Sequence, residues 1–165
     1  MSEQEKIKVL FVCTGNICRS PTAEGVFKHY VGQAGLADRI TTDSAGTHDY
    51  HVGEAPDPRA QKAAAQRGYD ISKLHGRQVI RRDFNEFDYV LAMDELNMRL
   101  LARLCPPEQR HKLKLMMEFA YGSTTSQVPD PYAGTAQDFE TVLDLLESAA
   151  EGLLDHVRAE LDENQ

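Results

Sequence analysis

Residues 9–24 read Val9-Leu10-Phe11-Val12-Cys13-Thr14-Gly15-Asn16-Ile17-Cys18-Arg19-Ser20-Pro21-Thr22-Ala23-Glu24. A continuous apolar run opens the stretch, as a parallel strand covered on both faces requires. A short loop follows, with a cysteine at one end and an arginine at the other. Ser20 then reads as a helix N-cap and Pro21 as the first helical residue. Open α/β sheets bind ligands beyond the carboxyl ends of their strands, where loop amides and a helix N-terminus can surround an anion. Cys13 is placed there to attack a bound phosphate.

Each residue type in the loop has a use. The helix dipole, the converging amides and the Arg19 charge all favour a nucleophilic thiolate at Cys13. Arg19 offers a planar fork for two phosphate oxygens and for the charge of a trigonal-bipyramidal transition state. Thr14, Gly15, Asn16, Ile17, Cys18 and Arg19 are the expected phosphate-binding residues, and Gly15 and Asn16 tolerate the left-handed angles that turn amides inward. The spacing argues against metal. No Cys/His pair follows Cys13 and Cys18 nearby, and Cys105 is far along the chain, so neither a metal nor a cofactor is expected.

Working outward, 165 residues with 41% hydrophobic content suffice for one domain, taken as residues 1–165. Met1 to Lys6 is charged and leads directly into the first strand, so no signal peptide is expected, and no apolar run reaches membrane-spanning length. Three cysteines, one of them the expected nucleophile that must stay reduced, fit a reducing, cytoplasmic location. A net charge of −8 opposes binding to nucleic acid or an anionic membrane, so phosphate affinity must be local.

Strands are expected at 8–12, 40–44, 87–93 and 113–117. Helices are expected from Pro21 to about Gly32, from Asp57-Pro58 to Gly68, and from an Asp94 cap to Pro106-Pro107. A final helix carries an apolar stripe of Phe139, Val142, Leu143, Leu146, Ala150, Leu153, Val157 and Leu161. Strands alternating with helices imply an α/β three-layer sandwich: a four-stranded parallel sheet with helices on both faces and the phosphate loop after the first strand. The long irregular stretch from about Gly122 to Gly134 is expected to be functional.

The chain resembles the low-molecular-weight protein tyrosine phosphatases. The resemblance rests on Cys13-Thr14-Gly15-Asn16-Ile17-Cys18-Arg19-Ser20-Pro21, Asp43-Ser44-Ala45-Gly46, Met93-Asp94 and Asp130-Pro131-Tyr132. It implies a phosphocysteine mechanism on tyrosine-phosphorylated proteins or small aryl phosphates, with phosphate-like oxyanions as inhibitors. Asp130, held between prolines, would protonate the leaving oxygen and then act as base for water. Asn16, Ser20 and Ser44 would brace the loop and help the thiolate leave. Tyr132 and Tyr50 would form aromatic walls, and Ala133 stands where some members have a second tyrosine. A histidine often supports the loop just before the pair seen here as Arg77-Gln78, but Leu74 occupies that register and His75 lies one residue later, so His75 receives no role.

Cys18 reads as a resolving thiol, able to form a reversible disulfide with Cys13 and protect it from overoxidation. Three other functions fit the loop. A thiol-dependent arsenate reductase would need a further cysteine pair, and only Cys105 is left. A protein-arginine phosphatase typically carries threonine where Ile17 stands. A noncatalytic phosphate-binding module would need neither Cys13 nor Asp130.

Overall fold

The computed structural model describes residues 6–163. The ends of the expected domain, 1–5 and 164–165, and most of the charged segment before the first strand lie outside the described residues. Four strands, β1 (Ile7–Cys13), β2 (Ile40–Gly46), β3 (Tyr89–Ala92) and β4 (Leu113–Leu115), form one sheet in the order β2-β1-β3-β4. All three pairings are parallel, with Cys13 beside Gly46 and Val12 beside Ala92. The helices are α1 (Arg19–Gln33), α2 (Pro58–Gln66), α3 (Asp83–Glu86), α4 (Glu95–Leu104) and α5 (Ala136–Glu163).

The alternation of side chains along β1 divides the core in two. Val9, Phe11 and Cys13 join Val26 and Phe27 of α1, Ala60 and Ala64 of α2 and the apolar stripe of α5. Leu10 and Val12 join Phe84 of α3, Val90 and Ala92 of β3 and Leu101 of α4. Both faces of the strand are covered, which explains why its sequence is apolar without interruption. All eight stripe positions of α5 are buried.

Local signals account for most boundaries. Asp57 caps α2, its Oδ1 accepting from Arg59 N at 2.8 Å, with Pro58 at the helix start. Asp94 caps α4 through Asn97 N at 2.8 Å. Three expectations are corrected. Strand β3 is shorter than 87–93, because the amide of Phe87 is held by Asp83 O at the end of the short helix α3. The fourth strand stops at Leu115, where Met116–Phe119 turns into a 3-10 helix. Ser20 does not cap α1. The cap position belongs to Cys18, the helix begins at Arg19, and Pro21 sits third within it, where no intrahelical N–H bond is forfeited.

Candidate active site

Strand β1 ends on Cys13 at the carboxyl edge of the sheet, and the loop from Thr14 to Cys18 curls over it into α1. The backbone reversal is made by Asn16, whose φ of 58° lies in the left-handed region. Gly15 does not share it, contrary to expectation. A side chain there would instead sit 3.1 Å from the His51 ring, so its glycine serves a close approach.

Asn16 is 3% exposed and uses its whole amide. Its Nδ2 donates to Ser20 Oγ at 2.8 Å and Ser44 Oγ at 3.0 Å, while Oδ1 accepts from Arg77 N at 3.0 Å. The donor at Oδ1 fixes which end of the amide is nitrogen. Ser20 Oγ in turn lies 3.1 Å from Cys13 Sγ, and Ser20 N donates to the same sulfur at 3.4 Å. This is why Ser20 cannot cap: its hydroxyl is committed to the loop. The three residues expected to brace the loop are thus in one connected network.

Arg19 is 2% exposed, and its charge is balanced inside the protein. Nη1 donates to Asp94 Oδ2 at 2.6 Å and to Val128 O at 3.0 Å; Nη2 donates to Thr14 Oγ1 at 3.3 Å and lies 3.7 Å from Asp130 Oδ2. A buried guanidinium without such partners would be costly.

A cavity of about 300 Å³ opens over the loop, lined by Cys13, Thr14, Gly15, Ile17, Cys18, Arg19, Tyr50, His51, Asp130 and Tyr132. Nucleophile, guanidinium and carboxyl therefore share one space. Tyr50 stacks on His48 at 4.8 Å, and Tyr132 lies under the Arg59 guanidinium at 5.6 Å, so each tyrosine of the cavity rests on a different side chain. His75 is exposed and Leu74 packs against the core.

A model of the low molecular weight phosphotyrosine protein phosphatase family matches residues 8–164. The chain belongs to that family. A phosphatase of the family from Streptomyces coelicolor is 42% identical over 158 residues, covering 94% of this chain and 96% of the relative. Among solved structures, a protein tyrosine phosphatase of Entamoeba histolytica with Hepes in its active site matches with a TM-score of 0.91 and 41% identity, covering 94% of this chain and 99% of that one. Wzb of Vibrio vulnificus, solved in complex with benzylphosphonate, matches with a TM-score of 0.80 and 27% identity, covering 91% and 98%.

In this member of the phosphotyrosine phosphatase family the cleft contains residues that sequence reasoning missed. Asp94 caps α4 with one carboxylate oxygen, and its second oxygen holds Arg19, a contact the cap spacing does not announce. Asn97, fully buried on α4, donates from Nδ2 to Thr14 Oγ1 at 3.1 Å. Arg59 pairs with Asp57 and donates to Tyr132 O at 2.8 Å, tying α2 to the segment that carries Asp130. His51 forms part of the cavity wall and is hydrogen-bonded through Nδ1 to Glu54 at 2.7 Å. Asp94 and Asn97 had a local signal, the cap spacing; Arg59 and His51 had none.

Cys18 is buried, and burial, followed by the nearby Asp57 and Cys13, pushes its thiol up to about 12. Cys105 lies in the core on the other face of the sheet from Cys13. Among the described residues no cluster of His, Cys, Asp and Glu could hold a metal ion, and no helix is long and apolar enough to cross a membrane.

Proposed function

We propose that residues 1–165 form one protein tyrosine phosphatase domain that hydrolyses phosphotyrosine in proteins and peptides, and small aryl phosphates, through a phosphocysteine on Cys13. The observation that carries this reading is the shared cavity: a sulfur backed by Ser20 at 3.1 Å, a guanidinium, and a carboxyl 3.7 Å from it. The Cys13 thiolate attacks phosphorus and the ester oxygen leaves with the proton of Asp130. Asp130 then takes a proton from water, which displaces the thiolate and releases phosphate. Arg19 keeps Nη1 on Asp94, leaving the other edge of its fork and the loop amides for the equatorial oxygens. No metal or cofactor enters these steps.

The apolar Ile17 in the cavity wall and the flanking Tyr50 and Tyr132 favour a phenyl ring over a guanidinium. The benzylphosphonate bound by the structurally similar Wzb of Vibrio vulnificus supports an aryl substrate. An arsenate reductase relay is disfavoured by Cys105, which faces the opposite core. A binding module is disfavoured by the presence of both Cys13 and Asp130. Phosphate and similar oxyanions are expected to inhibit. A cytoplasmic, reducing location belongs to the same reading, because the nucleophile must remain a thiol.

Cys18 is proposed as the resolving thiol. Peroxide converts the Cys13 thiolate to a sulfenic acid, and the Cys18 sulfur then displaces water from it to form the disulfide. Because the Cys18 thiol ionises only near pH 12, this second step should speed up as pH rises.

The deciding experiment compares phosphotyrosine, phosphoserine and phosphoarginine peptides, alongside arsenate with a thiol reductant, and traps the intermediate by rapid quench and mass spectrometry. Phosphotyrosine hydrolysis with phosphate on Cys13 is the expected result. Preferential phosphoarginine cleavage, or arsenate reduction without phosphatase activity, would replace the reading.

A further inference from the structure

Glu24 is the one carboxylate of α1 that turns into the protein. It is 6% exposed, and only one of its oxygens is engaged: Oε2 accepts from Thr42 Oγ1 at 3.3 Å, while Oε1 is buried with no hydrogen-bond partner among the described residues. A buried acceptor left unpaired costs free energy, so its presence calls for a cause. Thr42 and Ser44 alternate onto the same side of β2, the side that α1 covers.

Ser44 stands between Glu24 and the loop. Its Oγ accepts from Asn16 Nδ2 at 3.0 Å, and its hydroxyl holds the Glu24 carboxyl toward the ionised form. Asn16 spends its other N–H on Ser20 Oγ, which lies against Cys13 Sγ. The Ser44 hydroxyl, which favours the ionised form of Glu24, thus links that carboxylate to a chain that leads to the nucleophile.

We infer that Glu24 is a positioning residue for the Cys13 thiolate, the terminal acceptor of a relay that runs from Ser20 through Asn16 and Ser44. An ionised Glu24 draws the Ser44 proton to itself, which leaves the Ser44 lone pair to orient the Asn16 amide. Asn16 then occupies a lone pair of Ser20, and the Ser20 proton turns to the Cys13 sulfur at 3.1 Å in preference to Ala45 O, the more distant acceptor at 3.4 Å. That proton stabilises the thiolate both as nucleophile and as the group displaced from phosphocysteine, so the relay rests on the phosphocysteine reading only for its effect on turnover.

The surroundings make the carboxyl titratable. Burial pushes Glu24 up from its ordinary range and Asp43 on β2 adds to this; the Ser44 and Thr42 hydroxyls and Lys28 on α1 pull it back. Asp43 is itself neutralised by Arg77 at 3.1 Å. As pH falls through the Glu24 ionisation, the acceptor is lost and Ser20 is released.

The test measures the pH midpoint of Cys13 alkylation by iodoacetate, which needs no turnover, in wild type, Glu24→Gln and Ser44→Ala. The relay predicts that both variants raise the midpoint, by roughly half a unit or more, because the thiolate loses a hydrogen bond. Simple removal of a buried negative charge would instead lower it in Glu24→Gln. A lowered or unchanged midpoint there overturns the inference, as does an unchanged midpoint in Ser44→Ala, which alters no charge and serves if Glu24→Gln does not fold. With an aryl phosphate, kcat should fall about threefold to tenfold in Glu24→Gln with KM little changed. In a Ser44→Ala background the further loss should be under about twofold, since one relay cannot be broken twice. Independent, multiplying losses would overturn the relay. A wild type that shows the alkylation shift but hydrolyses no phosphomonoester would sink the proposed activity and leave the relay standing.

Discussion

The loop that carries Cys13 and the segment that carries Asp130 face each other across one cavity and are built in opposite ways. In the loop, Asn16, Arg19 and Ser20 are buried and tied by side-chain hydrogen bonds to Ser44, Arg77, Asp94 and Val128. In the opposing segment, residues 121–127 are exposed and the Asp130 side chain is 51% exposed. That segment is pinned at few points: Val128 N donates to Met93 O at 2.8 Å, Tyr132 N donates to Asp130 Oδ1 at 3.1 Å, and Arg59 holds Tyr132 O. The contrast fits the two tasks proposed for these regions. Phosphate oxygens occupy the same positions in every substrate, so their donors gain from being fixed before binding. A leaving oxygen differs with the substrate, and the acid that reaches it gains from solvent contact and a tolerant backbone.

The largest expected effect tests the rigid side. Cys13→Ser should lose about 10⁴-fold or more in turnover yet retain phosphate binding by calorimetry, because every donor of the loop survives. Activity near wild type would remove Cys13 from the mechanism. On the opposing side, Asp130→Asn should slow phosphotyrosine hydrolysis by roughly 10²–10⁴-fold, and an activated aryl phosphate far less in its phosphorylation step. The fall in rate at high pH, assigned to loss of the acid's proton, should flatten in the variant. Equal losses for both leaving groups would make Asp130 a segment brace and remove the contrast between the two regions.

Asp94→Asn separates two duties of one residue. Asparagine caps as well as aspartate, so α4 should keep its stability by thermal denaturation, whereas Arg19 loses a charge-assisted bond and activity should fall about tenfold. A matching loss of stability and activity would show that Asp94 acts only as a cap. The smallest effect is expected at Arg59→Ala: an increase in KM of about threefold with kcat nearly unchanged, as the Asp130 segment loses one tether. A larger fall in kcat would mean that the segment is held as tightly as the loop.

Much of this was legible because the signals were local. The unbroken apolar run of β1, the Asp57 and Asp94 caps and the α5 stripe each reflect backbone geometry within a few residues, and each element appeared where expected. Cys13, Arg19 and Asp130 stood out by residue type and by the family resemblance, and the fold brought all three to one cavity.

The sequence by itself therefore determined the α/β layering and the residues available for phosphate chemistry, since periodicity and capping are properties of short segments. Tertiary structure alone decided how those residues are held. Arg19 meets Asp94 across 75 residues and Val128 across 109, and Thr14 meets Asn97 across 83. Those meetings depend on β1 lying beside β3 in one register, which no local pattern encodes. The same holds for Ser20, whose spacing reads as a cap until the Cys13 sulfur and the Asn16 amide claim its hydroxyl, and for Glu24, an ordinary helix glutamate until β2 buries it.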